Sequence, residues 1–554
     1  MSKRIIMIGL VLTAVLASVI ATGCNKNPRD VELVRYKYIM MKEEDRLKLP
    51  QDILDTIDAY NNKDYYKAAV GFSAILNNQS YRAMHQTAHY YLTECLDRVG
   101  LYQASMFELA NILFKGPDQI YFTAALTKLL ALTKETKDES VIFNVLQTID
   151  INLFPPKFKN EMIYMRGKRL FYEGNYEAAQ KEFIAVSTDS AFYAKSLYFT
   201  GIIQVVRKDY GAARKTFDAI NALPDTYSDF GEASKVKEMS KLALGQFFYK
   251  AGFAATRDKY AILAKALDYY NSVDRANDDQ WFEALFEKTW TTTLIDHYNT
   301  SLGTILTINS PFFAQQFLPE AKLIEAMNWY RLCKWEDVRH TVKTFRDTYE
   351  PMAKAIEEYL GANIKSSGQV VYDDLLAQYE AALNDRQSLL SLQVLTAVLN
   401  NDNKFLEIYL AIKEMEKELE ILKNAPTDFR NDMYVQRFEK QSSKKLENLK
   451  KKAGNRALTQ LDQIGKTLKN QLGNAYAIDF ELTDSERKHL EKIELFGITA
   501  SEYHAEKSRL DYANYTEAVK GGELYWPFQG EYWKDELGYY YYSVSDECVA
   551  TEND

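Results

Sequence analysis

Histidine is the first place to look for chemistry, and the chain has six. His85-Gln86-Thr87-Ala88-His89 sets two imidazoles four residues apart, which on a helix places both on one face at a spacing that can bind zinc. The glutamate that a helical zinc protease carries directly after its first histidine is replaced by Gln86. The segment sits in an apolar-periodic helical pattern, so packing or exposure is the expected role and no metal is expected. Gly465-Lys466-Thr467 matches the end of a phosphate-binding loop, but Gln460 stands where the first glycine belongs and no strand precedes it. No Gly-x-Ser-x-Gly elbow occurs, and no histidine has a local nucleophile motif. With 77 acidic residues a glycosidase-like carboxylate pair stays open, although acidic helix surfaces follow from this composition alone. The expectation is a protein that is not an enzyme and takes no cofactor.

The elements that position these residues are helices. In 554 residues there are only 23 glycines and 11 prolines, too few breakers for the many turns of a β protein. Apolar residues make up 47% and charged ones 26%, which excludes global disorder and a polytopic membrane protein. The 39 tyrosines and 28 phenylalanines point to helix contacts filled by large rings. A formal charge of −9 argues against nucleic acid as a partner.

A repeat underlies the helices. Tyr-x2-Ala-x3-Phe occurs at Tyr65, Ala68 and Phe72, at Tyr176, Ala179 and Phe183, and at Tyr210, Ala213 and Phe217. Gly167 and Gly201 each precede the tyrosine by nine residues in the last two copies. This pattern resembles the tetratricopeptide repeat and implies a tetratricopeptide-like α-solenoid of paired helices. On that model Gly167 opposes Ala179 and Gly201 opposes Ala213, while Phe183 and Phe217 fill the gap to the next repeat. Gly174-Asn175-Tyr176 and Lys208-Asp209-Tyr210 supply tight turns. Weaker copies follow Thr56, Thr93 with Ser105 and Leu109, and Ala326 with Val338 and Val342. Leu263, Ala266 and Tyr270 look like a second helix without a clear first one.

Lys3 and Arg4, the apolar run Ile5 to Ile20, and Ala21-Thr22-Gly23-Cys24 resemble the signal peptide and lipobox of bacterial lipoproteins. The resemblance implies cleavage after residue 23, lipidation of Cys24, and a membrane anchor of several acyl chains. Asn25 follows, which by the same family rule points to the outer membrane facing the periplasm. Cleavage removes two positive charges and takes −9 to −11. Cys95, Cys333 and Cys548 would then share an oxidising compartment, with at least one unpaired. Cys95 and Cys333 lie in helical patterns where a buried thiol is the default, and a Cys333–Cys548 bridge is one pairing open to the tail.

Beyond residue 365 the period changes. Ile408, Ile412, Met415, Leu419 and Leu422, then Ala457, Leu461, Ile464 and Leu468, alternate steps of four and three, as in a coiled coil. Pro426-Thr427-Asp428 separates the runs, so an inserted antiparallel coiled-coil hairpin is expected to project from the solenoid. Its lysines, Lys440, Lys444, Lys445, Lys450, Lys451 and Lys452, read as a solvated face, with contact to anionic envelope polymers as the alternative. The tail Tyr525 to Tyr542 is dense in rings and should dock on the chain or a partner. Together with Ser310-Pro311-Phe312-Phe313, Pro319, Phe345 and Tyr349, the tail resembles uncharacterised repeat lipoproteins of gliding and predatory bacteria. The expected organisation is a signal peptide (1–23), a tether (24–50), the repeat domain (51–365), the hairpin (366–500) and an aromatic C-terminal segment on the helical body (501–554).

The repeat resemblance also implies a binding groove along the first helix of each unit: Tyr164, Lys168, Phe171 and Tyr172, then Lys195, Tyr198, Ile202 and Val205. Tyrosine beside lysine suits an extended acidic or amphipathic peptide. The same positions also suit a core, and the sequence leaves both open. The functional expectation is a lipid-anchored envelope scaffold that binds other envelope proteins in an assembly, secretion or motility complex. The alternative is a peptidoglycan-acting enzyme with a carboxylate pair in a closed cleft.

Overall fold

A computed structural model describes residues 49–224, 232–276, 278–384, 386–400, 402–496 and 530–548. The signal peptide, Cys24, nearly all of the tether, and the ring-rich stretch from Tyr525 to Gln529 lie outside the described residues. Among the described residues the structure is helical, without a strand, and no helix is long and apolar enough to cross a membrane. Helices pack on their chain neighbours in pairs, as in an α-solenoid.

The chain forms two compact units. Unit 1 comprises residues up to 203 together with 367–373 and 402–456; unit 2 comprises 204–366, 374–401 and 457 onward. Residues 51–365 are therefore divided, and the stretch 366–500 has no unit of its own.

Unit 1 begins with α1 (Gln51–Asn61), α2 (Tyr65–Asn77), α3 (His85–Arg98), α4 (Tyr102–Phe114), α5 (Phe122–Thr136), α6 (Ser140–Thr148), α7 (Lys159–Tyr172) and α8 (Tyr176–Ile184). Then come α9 (Tyr193–Val206), which contributes to both units, and, in unit 2, α10 (Tyr210–Asn221), α11 (Glu232–Ala254), α12 (Lys259–Asn271), α13 (Asp278–Leu294), α14 (Tyr298–Ile308), α15 (Pro319–Arg331) and α16 (Trp335–Ala362). The remaining helices are α17 (Gly368–Leu383), α18 (Leu392–Leu399), α19 (Asn403–Asn424), α20 (Thr427–Arg430) and α21 (Met433–Phe496).

Among the described residues one turn is used six times. Lys63, Gly100, Gly174, Lys208, Asp296 and Cys333 all adopt positive φ, each two residues before the aromatic that opens a second helix. In each turn the next residue's N–H donates to a carbonyl five residues back, for example Asn175 to Leu170 at 2.9 Å and His297 to Thr292 at 2.9 Å. This closes the first helix by the left-handed route that satisfies orphan carbonyls. Asp64, Asn175 and Asp209 then cap the second helix with their side chains.

The hairpin contacts refine the sequence reading. Gly167 meets the ring of Phe183, 2.8 Å from where a methyl would sit, so the aromatic and not Ala179 is its nearest partner. Phe183 also stacks on Phe199, with ring centroids 5.0 Å apart. In the first hairpin the close approach is reversed, with Gly71 of α2 against Thr56 of α1. Gly245 of α11 against Tyr270 of α12 provides the first helix that the sequence did not reveal. The pair α13/α14 is a further hairpin that went unread: Ser301 donates to the carbonyl of Thr289 at 3.1 Å, as Ser105 does to Thr93 at 3.0 Å. Ala68, Ala179, Ala213, Phe72, Phe183, Phe217, Gly167 and Gly201 are all buried, whereas Tyr65 and Tyr176 are half-buried and Tyr210 is exposed.

The segment expected to project is docked. In unit 1 Ser73 donates to Asp432 at 2.6 Å, Tyr66 packs edge-on against Phe429, and Lys445 reaches Gln103 and Asp138, both at 2.9 Å. Gly454 lies against the backbone of Gly368, with no room for a methyl. Lys450 pairs with Glu416 at 2.9 Å, so part of the lysine cluster holds structure together and is not simply solvated. In unit 2, α21 runs antiparallel along α16: Gly465 meets Ile356, Lys469 pairs with Glu357 at 2.9 Å, Tyr476 bonds Glu350, and Arg339 bonds Glu486. Ala457, Leu461 and Leu468, read as one seam of a hairpin, are fully buried.

Candidate functional site

The site lies in unit 1, where α5, α6, α7, α9 and α19 bring charged and aromatic side chains together. Of the eight residues expected to line a groove, Tyr164, Lys168, Phe171, Tyr198 and Ile202 are buried. Lys195 and Val205 are half-buried, and Tyr172 keeps 40% of its surface exposed. The first helices thus turn most of this row into core. Tyr164 packs among Phe183, Phe192 and Phe199, and Phe171 against Tyr172, Tyr176 and Phe199.

The side chains that surround Tyr172 and Lys195 are charged. Lys168 Nζ donates to Glu139 Oε1 at 2.7 Å and lies 5.7 Å from the centre of the Tyr172 ring. Lys134 pairs with Glu161 at 3.1 Å. Lys195 stands 5.9 Å from the Phe192 ring; burial, reinforced by the positive charges of Lys168 and Lys134, pushes its amine down to about 8 against the pull of Glu139 and Glu161. Burial pushes the Glu407 carboxyl up, with Glu139 adding to the effect and Lys168 opposing it. Burial, then Glu407 and Glu139, raise the Tyr172 hydroxyl, so it stays protonated and able to donate. Ammonium groups already matched to carboxylates can exchange them for carboxylates of a ligand, and Tyr172 adds an exposed ring beside them.

Glu139, Glu161, Glu407 and Lys134 were missing from the sequence reading. Glu407 sits in a run that looked like coiled coil, and only the docking of α19 brings it near Lys168.

The other candidates resolve differently. His89 Nε2 lies 2.5 Å from Glu108 Oε2 and its Nδ1 3.2 Å from Lys115 Nζ, while His85 Nε2 lies 3.0 Å from the carbonyl of Asn78. The two imidazoles are committed to separate partners. Among the described residues no group of three or more His, Cys, Asp or Glu side chains is arranged to hold a metal ion. Cys333 and Cys548 form a disulfide within unit 2, and Cys95 is a buried thiol whose pKa burial raises.

The chain matches no protein-family model and no curated protein sequence.

Proposed function

We propose that this protein is a lipid-anchored scaffold of the bacterial cell envelope, held at the outer membrane and facing the periplasm. Its tetratricopeptide-like solenoid grips an extended acidic or amphipathic segment of another envelope protein, within an assembly, secretion or motility complex. The observation that carries the reading is exposed Tyr172 and half-buried Lys195 on consecutive first helices, beside the buried Lys168–Glu139 pair and the raised carboxyl of Glu407. Support also comes from the turn repeated at six hairpins, which favours a stacked-repeat protein, a class that commonly binds extended chains. The lipobox ending at Cys24 supports the anchor.

The test is a photo-crosslinking residue placed at Tyr172 in the full chain in native membranes, with exposed Ile184 as the control position. A discrete crosslinked protein from position 172 and not from 184 is expected. Equal or absent crosslinking from both positions would remove the reading.

A further inference from the structure

We propose that the row Asn299, Gly303 and Thr307 on α14 is a docking site for an extended, acidic peptide rich in aromatic residues, and that residues 538–547 of the chain occupy it as a resident ligand. This site belongs to unit 2 and shares no residue with the lysine array, so either assignment stands without the other.

The three side-chain positions are four residues apart, hence stacked on one face of the helix. Four residues advance a helix by about 6 Å, and two residues of extended chain cover about 6.6 Å. The tail is paced to match. Gly538 N–H donates to Thr307 Oγ1 at 3.0 Å. The Tyr540 carbonyl crosses over Gly303, where a methyl group would sit 1.9 Å from its oxygen. Tyr542 N–H donates to the carbonyl of Asn299 at 3.2 Å. Val544 N–H donates to Asn299 Oδ1 at 3.2 Å, and its carbonyl accepts from Asn299 Nδ2 at 3.1 Å. The Asn299 side chain therefore acts as the peptide group of a neighbouring strand would, and the tail runs antiparallel to α14, held at every second residue through its backbone.

Backbone contacts fix extension and direction; the flanks set composition. Arg275 donates to the carbonyl of Asp535 at 3.0 Å and lies 4.2 Å over the Tyr539 ring. Trp329 meets the Tyr542 ring edge-on, and Lys334 pairs with Glu547. Residues 530–548 carry Glu531, Asp535, Glu536, Asp546 and Glu547 against a single lysine, Lys534. Lys334 at one end thus selects for acid, and Arg275 at the other favours an aromatic ring.

Two features mark the tail as an occupant. Of residues 530–548 only Leu537 is buried, so the segment lies on the surface and does not build the core. Gly303 sits inside a helix, where glycine is disfavoured, and the backbone passing over it accounts for its use. The Cys333–Cys548 disulfide fastens the far end and keeps a competing peptide out while it is closed.

The experiment uses the full chain carrying Tyr542→Pro, Val544→Pro and Cys548→Ser, which removes two of the tail's own donors and its covalent fastening. A fluorescent peptide of residues 530–548 with Cys548→Ser is titrated into it by anisotropy. Saturable binding is expected, weakened roughly tenfold or more by adding Gly303→Ala to the protein or by methylating the Val544 nitrogen of the peptide. No saturable binding, or binding that neither change affects, overturns the proposal. Should the proline chain lose helix, the test moves to the otherwise unaltered chain with its disulfide intact. There Gly303→Ala should speed hydrogen exchange at the amides of Gly538, Tyr542 and Val544 about tenfold or more, and unchanged exchange overturns the proposal.

Discussion

Replacing Gly167 by alanine should destabilise the α7/α8 hairpin, although the same change in an open helix would help. Glycine inside a helix costs about 1 kcal/mol relative to alanine, so the backbone term favours the substitution. The new methyl, however, would stand 2.8 and 3.0 Å from two carbons of the Phe183 ring and 3.1 Å from the Cβ of Glu182. Carbon atoms normally meet at about 3.5–4.0 Å. The ring has no room to retreat, because it is stacked on Phe199 at 5.0 Å with planes 9° apart. Overpacking of this kind costs about 1–3 kcal/mol, which leaves a net loss of about 1 kcal/mol. Gly211, in the first turn of α10, is the uncrowded control: nothing lies within 4 Å of its missing methyl, so Gly211→Ala should stabilise its helix, by no more than about 0.5 kcal/mol so near the end. A chain of two units need not unfold in one step, so the readout is native-state hydrogen exchange, on α7 and α8 for one variant and on α10 for the other. Exchange should speed roughly fivefold in the first and slow in the second. Phe183→Leu should cost less in the Gly167→Ala background than alone, by about 1 kcal/mol of coupling. Gly167→Ala stabilising α7 as Gly211→Ala stabilises α10 would refute the argument that this ring contact sets the hairpin's spacing.

Three further outcomes follow from charge and chemistry. Lys195 should titrate near pH 8 by NMR of its methylated amine, and Lys168→Met should move it toward the ordinary value of 10.5; because its folded value is the lower one, its stability penalty is full below about pH 8 and fades from there toward 10.5. A titration already at the ordinary value would contradict the crowding of lysines described for the array. Glu418 accepts the backbone N–H of Gln103 at 2.6 Å, at the N-terminus of α4, and burial pushes its carboxyl up to about 8. Its raised folded value means that its contribution is complete below the unfolded value of 4.5 and is lost as pH rises through about 8, so exchange in α4 should speed across that window; Glu418→Gln should flatten the slope, and an unchanged slope would exclude Glu418 as its source. Cys24→Ser should shift the protein from the membrane pellet to the soluble periplasmic fraction, and continued sedimentation would exclude lipid anchoring as what holds it.

The helical hairpins were legible wherever the repeat kept its own residue types. Tyr176, Ala179 and Phe183 after Gly174-Asn175 announce a turn and a packed second helix, and the structure has both. The α13/α14 hairpin escaped because Ser301 and Ile305 stand where alanine and an aromatic serve elsewhere; the geometry asks for a small residue and a large one, not for particular names. Thr56 looked unsuited to a close crossing because the glycine that allows it, Gly71, had moved to the partner helix. The seam Ala457 to Leu468 was read as an apolar stripe, but periodicity names no partner, and α16 takes the place expected of α19. The candidate site was half visible for the same reason. Lysine and tyrosine on a first helix signal a face, whereas Glu407 joins it only through contacts between segments far apart in the chain.

The scaffold reading is tested most directly by charge reversal in membranes. With the photo-crosslinking residue at Tyr172, Lys195→Glu should abolish the crosslinked product, while Lys181→Glu, on the exposed side of α8, should leave it intact. A product that survives Lys195→Glu, or purified protein that releases soluble fragments from cell walls, would contradict the account.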